Sequence, residues 1–351
     1  MKNFIDNHRR LVAAILAGLA LFAVIGGLVS CSGNKIKTGE TAYALILNNS
    51  GDSDNLYPLV FTRSDTAIEK GSTYDSTTYG KLEVLNAYTG FETDIYSAAI
   101  SVPWYEHRKE ITSVVTEGEI TAASTAFWFY NHESCTTINL KLLNAANAES
   151  MQKMFYSCSA LTSLTLSEQF GQNATHMGNM FDKCTSLTSI ALPEGFGQNV
   201  ITANNVFYTC SALTSLTLPE GFAQKAEDVS YMFYKCSSLT SLNISNGFGK
   251  LATDVGSIFY KCEGLTELSL PSGFGQSATD MSHMFYKCSA LTTLTFPEDW
   301  STANVTDMSC MFYKCPTVVV NCSDWNIEKV VEHSSFNHEA YHVVAPEWEA
   351  K

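Results

Sequence analysis

Six cysteines, Cys158, Cys184, Cys210, Cys236, Cys262 and Cys288, recur every 26 residues, and Cys315 follows after 27. Thiols at a fixed interval can oxidise in pairs, ligate a metal or simply pack. Stacked in register they would lie ~4.8 Å apart, which a disulfide tolerates, but their Cβ vectors would run parallel instead of converging. Zinc favours paired C-x-x-C spacing, which one cysteine per period does not supply. The spacing points to a buried thiol ladder, with Cys310 and Cys315, or Cys315 and Cys322, as the pairs best placed for a bridge at the end. Asp228, Asp254, Asp280 and Asp307 form a second row. Stacked carboxylates suggest calcium, yet no loop brings several oxygens to one ion, and capping of the turn that follows accounts for them. His333, His338 and His342 cluster late in the chain. Val343, Val344 and Pro346 argue for a strand there, not for the helix that would bring the last two onto one face. No G-x-S-x-G, H-E-x-x-H or phosphate-cradling glycine loop occurs, so neither catalysis nor a cofactor nor a metal is expected.

The element that positions these residues is a repeat. Phe155, Phe181, Phe207, Phe233, Phe259 and Phe285 share the 26-residue interval, and Phe312 follows after 27. The unit reads M-F-Y-K-C-S-x-L-T-S-L-T-L-P-x-G-F-G-Q. Its L-x-x-L-x-L portion ends in the alternation of a short strand, stopped by Pro and Gly as at Pro219 and Gly221. Asp228 before Val229, Met232 and Phe233 reads as an N-cap followed by apolar positions at i, i+3 and i+4, one or two turns of helix. One coil alone buries too little apolar surface to offset the entropy of ordering it, so coils must stack and the end coils must be capped. The expected fold is α/β: a right-handed solenoid of about ten coils, each a short parallel strand plus a helical turn, over residues 107–346. Residues 41–106, with strand-like runs at 42–47 and 58–63, read as a small β-rich N-terminal cap, and 347–351 as a tail.

Two faces of such a solenoid are candidate binding surfaces. Outward strand positions include Thr165, Thr217, Asn243, Glu267, Ser269 and Thr295, a polar and nearly uncharged row. Either the row is a preformed surface for a protein or glycan, with Asn243 and Glu267 supplying specificity, or short hydroxyl side chains merely solvate a sheet. Tyr208, Tyr234, Tyr260 and Tyr286 follow the buried Phe, and lysines follow the later tyrosines. That stripe either offers aromatic contact area to a partner or packs coil on coil beneath the lysine stems.

The chain has 351 residues and a net charge of −14, without a Lys/Arg block, which excludes nucleic-acid binding as a partner class. Lys2, Arg9 and Arg10 precede an apolar run over 11–28, so residues 1–30 read as a signal peptide. The closing Leu28-Val29-Ser30-Cys31 resembles a bacterial lipobox, which implies cleavage before Cys31 and a diacylglycerol on its sulfur. An uncleaved transmembrane anchor is the alternative, since the run is barely long enough to span a bilayer. Residues 31–40 would then be the lipidated cysteine and its tether, and the membrane a partner through the lipid.

The unit M-F-Y-K-C-S-A-L-T-T-L-T-F, the spacer Thr302-Ala303-Asn304-Val305-Thr306-Asp307-Met308, the opening Pro103-Trp104-Tyr105, and Asp324-Trp325 with Ala345-Pro346-Glu347-Trp348 resemble BspA-type leucine-rich repeat surface proteins of bacteria. The resemblance covers residues 41–348. It implies a cell-surface repeat protein, in some members an adhesin for host matrix proteins or other bacteria. The family's T-x-N-V-T-D-M spacer is kept only at 302–308, while other coils carry G-F-G-Q-x-A-T-D, so a ligand read by that spacer elsewhere does not transfer.

Overall fold

The computed structural model describes residues 40–48, 57–92 and 98–348, and the expectations for 1–30 and for Cys31 lie outside them. The described residues open with four antiparallel strands, β1 (Thr41–Asn48), β2 (Tyr57–Ser64), β3 (Thr73–Ser76) and β4 (Gly80–Tyr88). β2 then pairs in parallel with β5 (Ile111–Thr116), which continues into β7 (Thr137–Asn139) and β9 (Ser163–Thr165), with the two-residue β6 (Ile120–Thr121) and β8 (Leu143–Asn144) beside them. Cap and first coils therefore share one seven-stranded sheet, ordered β3-β4-β1-β2-β5-β7-β9. Beneath the junction, Phe61, Phe91, Trp104 and Trp128 meet at 5.2–5.8 Å, mostly edge to face, as aromatic quadrupoles prefer.

Further along, the rungs carry β10 (Ser215–Thr217), β11 (Ser241–Asn243), β12 (Glu267–Ser269), β13 (Thr293–Thr295), β14 (Val320–Asn321) and β15 (Val343–Val344). The phenylalanine position recurs from Phe129 to Phe336 in nine turns, against the ten or so read from the sequence. Inside, Phe155, Phe181, Phe207, Phe233, Phe259 and Phe285 stack at 5.2–5.8 Å with rings within 8° of parallel. A second column runs through Phe170, Phe196, Phe222, Phe248 and Phe274 to Trp300. Gly197 serves that column: its φ is +67°, and a Cβ there would lie 2.6 Å from the Phe222 ring.

The expected helical turn is not formed. Among the described residues no α-helix occurs, and only two three-residue 3-10 stretches, Ala99–Ser101 and Tyr105–His107, are helical at all. Where M-F-Y-K-C reads as helix, the chain makes tight turns instead: Met284 N–H donates to Met281 O, and Cys288 N–H to Phe285 O. Each has a left-handed residue at its third position, His283 at φ 56° and Lys287 at φ 57°, as type II turns require. This geometry releases alternate amides to the neighbouring rung. Met281, His283, Phe285 and Lys287 donate to the carbonyls of Asp307, Ser309, Met311 and Tyr313. An α-helix would consume those amides internally and remove this line of backbone bonds between rungs. The apolar i, i+3, i+4 pattern is real, but it fills a solenoid interior in place of a helix face.

Candidate functional site

The thiol ladder lies wholly inside. Among the described residues all ten cysteines are free, and Cys158, Cys184, Cys210, Cys236, Cys262 and Cys288 are fully buried. Each Sγ donates to a phenylalanine carbonyl on the preceding rung, at 3.1–3.2 Å. Burial pushes these thiols up, to about 12 for Cys236. The bridges considered among Cys310, Cys315 and Cys322 do not form: Cys315 Sγ donates to Phe285 O at 2.9 Å and Cys310 Sγ reaches Ser334 O at 3.7 Å.

The aspartates sit at a second line of contact between rungs, where residues 228, 254, 280 and 307 pair in parallel bridges. Asp228, Asp254, Asp280 and Asp307 each accept, through Oδ1, the amide two residues on, at 2.7–2.9 Å. They cap turns, as expected, but no helix follows. Burial, with Asp280 and Asp228 beside it, raises Asp254 above the ordinary carboxylate range against the Gly256 amide. The threonines before these aspartates also work along the axis: Thr279 Oγ1 donates to Thr253 O and Thr306 Oγ1 to Thr279 O. In Thr306-Asp307-Met308, then, the first residue joins rungs, the second caps a turn and the third is buried.

The strand face presents Thr165, Thr217, Asn243, Glu267, Ser269 and Thr295 to solvent, while Leu216, Leu242 and Leu268 point inward. Corresponding residues pair in register, Thr217 with Asn243 and Ser269 with Thr295. The ladder lapses at 189–191, which joins neither β9 nor β10. There the face is indented by a groove of about 280 Å³ lined by Ser189, Ala191, Leu192, Ser215, Thr217 and Ser241. A more open depression, about 580 Å³, lies over the glycine turns and is lined by Glu168, Gln172, Glu194 and Gln198 among others.

The tyrosines form a column on the outside of the phenylalanines. Tyr208, Tyr234, Tyr260, Tyr286 and Tyr313 stack at 4.4–4.7 Å, within 12° of parallel, and His338 extends the column beyond Tyr313 at 4.9 Å. Their faces meet one another, so only their edges and hydroxyls reach solvent. Burial, then the neighbouring tyrosines, raises the Tyr260 phenol. Lys235, Lys261, Lys287 and Lys314 each lie 5.3–5.7 Å from the ring of the tyrosine before them.

One rung breaks the column. Tyr130 stacks on Tyr156 at 4.8 Å, but the next position is Asp182, 5% exposed, in the segment Met180-Phe181-Asp182-Lys183-Cys184. Its Oδ1 has no hydrogen-bond partner, and burial pushes its carboxyl up to about 6 against the pull of Lys183 and Lys153. Reading the repeats for what they share passed over this residue, although the replacement of Tyr by Asp is plain when the units are compared. Glu117 was also missed, because no local pattern marks it: it accepts from Ser76, Tyr74, Thr77 and Thr78 and ties the β3–β4 turn to the first coil.

The description BspA type Leucine rich repeat region matches in six copies, over residues 105–200 and 177–319. No curated protein matches the chain. Among solved structures, a leucine-rich repeat protein from Eubacterium ventriosum is 13% identical, with 83% of this chain and 93% of that one covered and a TM-score of 0.39. A leucine rich cell surface protein from Faecalibacterium prausnitzii is 16% identical, covering 90% and 77%, at 0.40. A leucine-rich repeat protein from Bacteroides ovatus is 16% identical, covering 79% and 81%, at 0.32.

Proposed function

Because the chain belongs to the BspA-type leucine-rich repeat family, we propose that it works at a bacterial cell surface, without catalysis, by binding a macromolecular partner on its strand face. The partner would be a host or bacterial surface protein or a glycan, and a lipid on Cys31 would hold the protein to the membrane. The observation that carries this reading is the exposed row from Thr165 through Thr217, Asn243 and Ser269 to Thr295, indented at 189–191. Flat hydroxyl and amide side chains on a backbone fixed by stacking lose little entropy on contact, and a groove lets a partner reach between rungs. A second reading, a structural spacer without a ligand, is favoured by the tyrosine column, whose ring faces are already taken up by packing.

A screen of immobilised matrix proteins and glycans against the full-length protein decides between them. Saturable binding that Thr217→Lys and Asn243→Ala weaken, with Tyr234→Ala as the comparison on the other face, supports the strand-face site. Uniform absence of binding supports the spacer. The anchor is tested apart, since Cys31→Ala should release the protein from membranes.

A further inference from the structure

We propose that Asp182, with the facing rings of Tyr156 and Tyr208, forms a slot for one arginine side chain of a partner protein. The proposal rests on the reading of this chain as a binding protein and narrows the partner's chemistry at a second place. Rings one rung apart stack at 4.4–4.8 Å, so Tyr156 and Tyr208, two rungs apart, stand about 9 Å apart. A planar group needs roughly 3.5 Å to each face, so a single flat group fits between them. Elsewhere the column fills that place with its own tyrosine. Here Asp182 stops short of it.

The floor of the slot is an acid whose Oδ1 has no hydrogen-bond partner. Asp182 is 5% exposed, its Oδ1 accepts no hydrogen bond, and among the described residues it makes no ion pair. A buried carboxylate in that condition is costly, and a cation that reaches it relieves the cost. The chain's own cation marks the spot. Lys235, Lys261, Lys287 and Lys314 cover the tyrosine of their own rung, but Lys183 turns to the preceding one, donating to the Tyr156 hydroxyl at 2.8 Å with Nζ 4.9 Å from the ring centre. It lies beside the Tyr156 hydroxyl at the rim of the slot, without an ion pair to Asp182. Lys183 is exposed at the mouth, so it can swing into solvent when displaced.

A guanidinium satisfies what the ammonium leaves unmet. It is planar, it stacks on tyrosine by both faces, and its forked N–H groups meet a carboxylate in pairs. An anion is repelled by Asp182, and a phenol brings no charge to compensate it. A bare metal ion would find one carboxylate and no further acidic ligand, consistent with the absence of any metal-ligating cluster among the described residues.

The test uses the full-length protein, with the tripeptide amide Gly-Arg-Gly as probe and Gly-Lys-Gly and Gly-Tyr-Gly amides as comparators, titrated by NMR with the Tyr156 and Tyr208 rings and the Asp182 carboxyl labelled. The arginine probe is expected to saturate at least about tenfold more tightly than either comparator, moving those two rings and lowering the Asp182 titration. Asp182→Tyr, which completes the column and should fold, is expected to abolish binding, and Lys183→Met to tighten it severalfold. Equal affinity for the lysine probe, tighter binding of the tyrosine probe, binding that survives Asp182→Tyr, or no saturation at tens of millimolar each overturn the proposal. None of these bears on the strand face, whose partner is sought separately.

Discussion

The Cys262 thiol donates to the Phe233 carbonyl at 3.2 Å, from one rung to the one before. The same bond recurs along the ladder, and it holds each buried sulfur on a backbone carbonyl of the preceding rung as a free thiol. The ladder joins rungs by hydrogen bonds and packing, and it keeps each thiol from the ionised form that reacts.

The first expectation concerns reactivity. Burial holds Cys236, Cys315 and Cys322 at about 12 and the other ladder thiols higher than usual, whereas Cys310 is half-buried and raised only in part by burial and the nearby Asp307 and Glu332. Iodoacetamide on the native protein, followed by peptide mapping, should label Cys310 before any ladder cysteine. Labelling of Cys210 or Cys262 at the same rate would contradict the ladder.

A second follows from backbone conformation. Lys261 has φ 57°, a region that costs a residue with a Cβ about 1–2 kcal/mol and a β-branched residue more. Lys261→Gly should stay within about 1 kcal/mol of the parent, since relief of strain offsets the freer unfolded chain. Lys261→Val should unfold at clearly lower denaturant. The order of the two midpoints is the check, and a helix at this position would reverse it.

A third is a pH dependence with a fixed sign. Burial raises Asp182 from 3.8 to about 6, so the folded state binds its proton more tightly than the unfolded state does. Stability from this group is present below about pH 3.8 and falls as pH rises through about 6. Asp182→Asn should therefore raise the melting temperature at pH 7.5 relative to the parent and change it little at pH 3.5. A larger gain at the acid end would mean that the carboxylate is well compensated.

The fourth has the opposite sign. Burial would raise Glu117, but the Ser76 hydroxyl, Thr78 and Thr77 donate to it and hold it below 4.5. Its contribution is present above pH 4.5 and is lost as pH falls through the depressed value. Glu117→Gln should loosen the β3–β4 turn at neutral pH, seen as faster amide exchange at Thr77 and Thr78, and should matter progressively less toward pH 3. Unchanged exchange at neutral pH would show that the turn holds without the carboxylate.

The sequence by itself determined the repeat and its interior. Phe233, Cys236 and Leu239 recur at one interval because each must meet its own copy one rung away, and that demand is written into every unit. The strand rows could be read for the same reason: alternation at Leu216, Thr217 and Leu218 sends one side chain out between two turned in. Tertiary structure alone decided the rest. Met281, Met284 and Phe285 carry a helical spacing, yet neighbouring rungs offer carbonyls to alternate amides, and that satisfies more of the backbone along the stack than an isolated turn of helix can. Asp182 and Glu117 owe their character to residues 26 or more positions away, Tyr156 and Tyr208 on either side of one, Ser76 and Thr78 around the other, so burial and partners that no local pattern encodes made them what they are.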